Sequence, residues 1–88
     1  MRNQLDVTIR IGGGLGKVCA VRSQTCRLPE GASLSDLLTL LSQEVGEVIF
    51  QPSVLVAVNG TLVQMNDRGN RLLQGGDVVS VIPAIAGG

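Results

Sequence analysis

Only one stretch of this 88-residue sequence carries the period of a helix, and it sits among segments patterned for strands. Leu34, Leu37, Leu38, Leu41 and Val45 fall at helical spacing and make a single apolar stripe. The run Ser33-Leu34-Ser35-Asp36 fits a capping box, with Asp36 able to reach back to the backbone N–H of the cap. Gly46 is the expected stop, since glycine accepts the left-handed turn that follows many helices. Leu40 lies off the stripe. One amphipathic helix covers one face of a sheet, so the opposite face is left to solvent or to a partner.

The strands read from both sides of that helix. Leu5, Val7, Ile9 and Ile11 alternate with Asp6, Thr8 and Arg10, the period of a half-buried strand. Gly12 to Lys17 breaks the alternation as a loop, and Val18 to Leu28 reads as the second arm of a hairpin. Pro29-Glu30-Gly31 closes this unit. Beyond the helix, Val48 to Ser53 is a connection around Pro52, and Val54 to Val58 is an apolar run suited to an interior strand. Asn59-Gly60 is a strong hairpin signal because both residues tolerate positive φ, with Thr61-Leu62-Val63 as the short return. Asn66 to Asn70 reads as surface loop, and Asp67 and Arg68 within it as a solvated turn. Gly75-Gly76-Asp77 is a turn that the Asp77 side chain fixes by bonding to backbone. Val78 to Ile82 is the last strand, ended by Pro83, which has no N–H to pair. The expectation is an α+β chain: a mixed sheet of about five strands with one main helix packed on one face, the layout of a β-grasp domain. It spans residues 1–83, with 84–88 as a flexible tail.

Composition then removes whole classes of function. The single aromatic is Phe50, so the core rests on Val, Leu and Ile. Seven basic and seven acidic residues are scattered without a basic run, so the clustered positive footprint of a nucleic-acid binder is missing. There is no His, which removes the commonest general base and metal ligand. Cys19 and Cys26 lack metal-ligand spacing, and on one strand their odd separation puts them on opposite faces, against a disulfide. Both read as packing or surface residues. Gly12 to Lys17 is not a phosphate loop, because Ile11 stands where its first glycine belongs and Val18 where its hydroxyl residue belongs. No signal peptide is read at the start and no apolar run approaches the ~18 residues of a membrane span, so a cytoplasmic location is expected. No catalytic residue, bound cofactor or metal site is expected in the chain.

The informative segment is the end. After Asp77 no charged side chain follows, and the sequence closes Pro83-Ala84-Ile85-Ala86-Gly87-Gly88. Five residues fully extended span at most about 16–18 Å, enough to carry a terminal carboxylate into another protein's pocket. Two glycines without Cβ atoms let that strip pass a narrow channel. A free carboxylate is a poor acyl donor. Attack on the α-phosphate of ATP, with loss of pyrophosphate, makes it an acyl adenylate. Sulfide, or a persulfide followed by a thiol that cleaves the acyl disulfide so formed, can then displace AMP and leave a thiocarboxylate. Such a chain needs no catalytic group of its own. The remaining apolar excess fits either ordinary core or an exposed docking face, for which Leu62, Val81 and Ile85 are the candidates.

The chain resembles the MoaD/ThiS family of ubiquitin-like sulfur carriers, which includes the small subunit of molybdopterin synthase. The resemblance runs through Gly31 to Leu38 at the helix start, Val56 to Gly60 at the hairpin, Gly76 to Val81 at the last strand, and Pro83 to Gly88. It implies a β-grasp fold. It implies that Gly88 is the modified residue, with Gly87, Ala86 and Ile85 threading the partner's channel. It implies an adenylyltransferase of the ubiquitin-activating class as first partner, using ATP, a sulfur donor, and a synthase subunit as acceptor. Molybdopterin synthesis, for a molybdenum or tungsten cofactor, is the leading pathway. Thiamin or cysteine synthesis, or conjugation of Gly88 to other proteins, shares the same first step. The Gly12–Gly16 loop is long for the family, and Val81 and Ile82 stand where it often has aromatics.

Overall fold

A computed structural model of the chain describes residues 3–12 and 22–83. Two long strands come first, β1 at Gln4–Ile11 and β2 at Arg22–Pro29. The helix α1 follows at Leu34–Val45, then a 3-10 turn at Glu47–Phe50. Strand β3 spans Val54–Val58, β4 Thr61–Leu62, a second 3-10 turn Met65–Asp67, and β5 Val78–Pro83. The sheet order is β2-β1-β5-β3-β4. β1 and β5 run parallel in the middle, and the other neighbours are antiparallel. A parallel pair needs a crossover connection, and α1 lies within it. The mixed five-strand sheet with one helix is the expected β-grasp fold. The proposed start of the second strand at Val18 lies outside the described residues.

The core is built where the alternation placed it. Val7, Ile9 and Ile11 of β1, Val54, Val56 and Val58 of β3, and Val79 and Val81 of β5 all point to one side and are buried. Leu34, Leu37, Leu38 and Leu41 of α1 meet them. Each such leucine is worth about 1.5–3 kcal/mol of transfer free energy before entropy is set against it. Leu40 projects away from this stripe and is exposed.

Both ends of α1 follow from its sequence. The Ser33 hydroxyl accepts from the Asp36 N–H at 3.1 Å, and the Asp36 carboxylate accepts from the Ser33 N–H at 3.0 Å. At the other end Gly46 stands at φ 87 and ψ 176. That is a positive φ with extended ψ, rather than the expected left-handed turn. The region is open essentially to glycine alone.

Two connections do more than the sequence reading expected. The 3-10 turn before β3 buries Ile49 completely in the core. The segment read as a solvated turn at Asp67 and Arg68 is only half so. Asp67 is exposed, but Arg68 is buried. Its carbonyl accepts from the Ser35 N–H at 3.1 Å, and the Arg71 carbonyl accepts from the Leu34 N–H at 2.8 Å. These are first-turn donors of α1 that the helix itself cannot satisfy. The loop is drawn inward because it supplies their acceptors.

Candidate functional site

Strand β5 leads toward the segment that the sequence singles out, so what holds β5 decides where that segment is presented. Its start is tied by a knot of two side chains. Asn59 sits at φ 52 and Gly60 at φ 86, the positive values their hairpin requires. From there the Asn59 side-chain amide donates to the Asp77 carboxylate at 3.0 Å, and its oxygen accepts from the Val78 N–H at 2.9 Å. The second Asp77 oxygen accepts from the Gln74 N–H at 2.9 Å, as expected of a turn-fixing aspartate. Backbone bonds complete the knot: Thr8 donates to Asp77 at 2.9 Å, Gly76 to Asp6 at 2.9 Å, and Asn59 to Val78 at 2.8 Å. β5 is thereby registered against β1 on one side and β3 on the other.

From the knot β5 runs to Pro83, opposite Val54, at the far end of the sheet. The Gly12 N–H donates to the Val81 carbonyl at 2.8 Å and holds this end against β1. The site residues expected in the tail, Ile85, Ala86, Gly87 and Gly88, lie outside the described residues. What the structure positions is the base from which they depart.

Beside that base lies the sheet face that α1 leaves uncovered. Leu55 opposes Ile82, and Ala57 opposes both Leu62 and Ser80, so all five share this face. Leu55, Leu62 and Ile82 are exposed, at 41%, 54% and 43%, and Ala57 is covered between them. Of the expected docking residues, Leu62 is therefore on the open face. Val81 is not: it is wholly buried and faces α1 with Val79. Side chains alternate along a strand, so Ser80 and Ile82 take the face that Val81 cannot. Leu55 and Ile82 are the residues the sequence reading missed. The polar Ser80 between two valines was the signal for Ile82. Leu55 had no such signal, because the run Val54 to Val58 hides its own alternation.

The remaining reactive groups form no catalytic constellation among the described residues. Cys26 faces the core side of β2, and its thiol is pushed up from the ordinary range by burial and, less, by Glu44. Its ionised, nucleophilic form is therefore disfavoured. Cys19 lies outside the described residues. No group of three or more Cys, Asp or Glu among the described residues is placed to hold a metal ion. The Asp6–Arg27 pair at 3.1 Å is exposed on both sides and contributes little. No helix among the described residues is long and apolar enough to cross a membrane.

Comparison with known proteins places this geometry. The model of the ThiS family matches residues 16–88, through the last glycine. No curated protein matches the sequence. Among solved structures, the HVO 2177 protein of Haloferax volcanii is similar at 28% identity and TM-score 0.74, over 97% of this chain and 88% of that one. SAMP1 of Haloferax volcanii is similar at 18% identity and TM-score 0.75, over 94% of this chain and 99% of that one. A chain from the complex of subunits 1 and 2 of the molybdopterin-converting factor of Helicobacter pylori is similar at 23% identity and TM-score 0.66. That match covers 96% of this chain and 100% of the other.

Proposed function

The chain belongs to the ThiS family, and from that premise we propose that it is a sulfur carrier whose Gly88 carboxylate is adenylated and converted to a thiocarboxylate. One observation carries the reading. A last strand pinned at Asp77 and Asn59 runs out at Pro83, where the uncharged sequence Ala-Ile-Ala-Gly-Gly follows, and the family match extends through Gly88. The folded part is then a handle and the chemistry lies beyond it. An adenylyltransferase of the ubiquitin-activating class binds the handle, receives the tail, and spends ATP on the carboxylate. The open face around Leu55, Leu62 and Ile82 adjoins the departure point and is the surface such a partner covers. A sulfur donor supplies the atom that displaces AMP, and a synthase subunit receives it.

We assign the acceptor to molybdopterin synthesis. The support is the Helicobacter pylori neighbour, which is described as a complex of two subunits of a molybdopterin-converting factor. Thiamin synthesis, cysteine synthesis and conjugation to proteins begin from the same acyl adenylate, and the test separates them. The protein, its adenylyltransferase, ATP and a sulfur donor are combined with candidate acceptor subunits. With its pterin substrate supplied, the molybdopterin synthase large subunit should catalyse C–S bond formation on that substrate, and hydrolysis should return Gly88 to the carboxylate. One alanine added after Gly88 should abolish the transfer while leaving the circular dichroism spectrum unchanged. Lysine-linked adducts of high mass in cell extract, without sulfur transfer, would instead identify a protein modifier.

A further inference from the structure

Arg68 poses a problem that neither the fold nor the tail chemistry uses. It is 7% exposed, yet no carboxylate pairs with it among the described residues. Its one side-chain hydrogen bond among the described residues runs from Nε to the Val63 carbonyl at a long 3.4 Å. A guanidinium has five N–H donors, and burying a charge without a partner is costly. Burial lowers its pKa from the ordinary range. No side-chain nitrogen or oxygen among the described residues is fully enclosed without a partner, so the terminal nitrogens keep an outlet. Arg68 lines a pocket of about 220 Å³ between β3, β4 and the 3-10 turn at Met65–Asp67.

The other walls fix the chemistry of an occupant. Among the described residues they are apolar, chiefly Pro52, Leu55, Leu62 and Met65, with Gln64 the sole other polar side chain. Among the described residues no second cation lines the pocket to balance a phosphate dianion. A single carboxylate matches the single guanidinium, and the planar fork can hold it by two parallel hydrogen bonds. At ~30 Å³ per water, the pocket has room for about seven waters, enough for one glutamate side chain. Leu55, Leu62 and Met65 are exposed at its mouth, which suits the aliphatic neighbours of that glutamate in a polypeptide.

We propose that this pocket is a recognition site for an acidic side chain flanked by aliphatic residues on a partner protein, with Arg68 as its anchor. The pocket shares Leu55 and Leu62 with the face assigned to the adenylyltransferase, but its test does not depend on the chemistry at Gly88.

The probe is the blocked peptide acetyl-Leu-Glu-Leu-amide, titrated into the full ¹⁵N-labelled chain, with acetyl-Leu-Gln-Leu-amide as control. Saturable shifts should centre on the Arg68 Nε–H and the amides of Leu62 to Met65, and the glutamine peptide should bind at least about tenfold more weakly. Arg68→Met, which keeps the aliphatic stem, should abolish the difference between peptides. Met65→Ser, on an exposed residue of the mouth, should weaken both peptides and keep the fold, so the site remains testable if Arg68→Met unfolds. Equal binding of the two peptides, no binding, or glutamate-dependent shifts at Arg10, Arg27 or Arg71 instead would overturn the proposal. So would peptide-free shifts that grow with protein concentration, which would give the pocket to a second copy of the chain.

Discussion

Removing the Asp77 carboxylate should cost more than any other single polar change in the described sheet. Asp77 is 8% exposed and accepts two hydrogen bonds, from Gln74 N–H at 2.9 Å and from the Asn59 amide at 3.0 Å. Bonds to a charged acceptor are worth about 1.5–3 kcal/mol each. Gln74 and Asn59 are exposed residues, so water recovers part of the loss. Asp77→Ala should therefore destabilise by about 2–4 kcal/mol, and at about 4–8 °C per kcal/mol the melting temperature should fall by at least ~8 °C. Asp77→Asn is the sharper test. It keeps an oxygen for Gln74 but turns an NH₂ group toward the Asn59 NH₂. Asn59 cannot simply flip, because its oxygen holds the Val78 N–H. About half the loss is expected. The assay is thermal and urea unfolding followed by far-ultraviolet circular dichroism, since the chain has no Trp or Tyr. A double-mutant cycle with Asn59→Ala should show a coupling of at least about 1 kcal/mol. Variants within about 0.5 kcal/mol of the parent, or an additive cycle, would refute the reasoning that this knot holds β5 in register.

Three further outcomes are expected. Ser33→Ala removes one arm of the capping box and should cost about 1 kcal/mol, read as a drop of about 4–8 °C in melting temperature. Leu62→Asp and Ile82→Asp, on the open face, should change stability by no more than about 0.5 kcal/mol yet slow thiocarboxylate formation by the adenylyltransferase, measured as initial rate. Because burial pushes the Cys26 thiol up, the folded chain keeps that proton to higher pH than the unfolded chain. The unfolded state then binds fewer protons above the ordinary thiol range of about 8.5, so stability falls as pH rises through it. In a Cys19→Ser background, Cys26→Ala should flatten that part of the pH profile in urea titrations. Iodoacetamide should likewise label Cys26 more slowly in the folded chain than in urea.

The elements that announce themselves locally were legible in the sequence: the leucine stripe, the capping box, the Asn59-Gly60 hairpin and the turn at Asp77. Each is set by neighbours a few residues apart. What was not legible depends on residues brought together from a distance. Val81 looked like a surface candidate, but the register with β1 and β3 turns it inward and gives the face to Ile82. Ile49 is buried because the 3-10 turn folds back onto the core, which no periodicity signals in four residues. Arg68 reads as an ordinary turn residue until the first turn of α1 draws its loop inward. The tail was singled out by its lack of charge and its glycines, features of sequence that need no partner strand to be seen.

The central claim is that the reactive atom of this protein is the Gly88 carboxylate, and intact-mass spectrometry tests it most directly. After incubation with the adenylyltransferase, ATP and a sulfur donor, the account predicts a mass gain equal to one oxygen exchanged for sulfur. Fragmentation should place that gain on Gly88. An unchanged mass with a demonstrably active adenylyltransferase, or sulfur carried instead on Cys19 or Cys26, would contradict it.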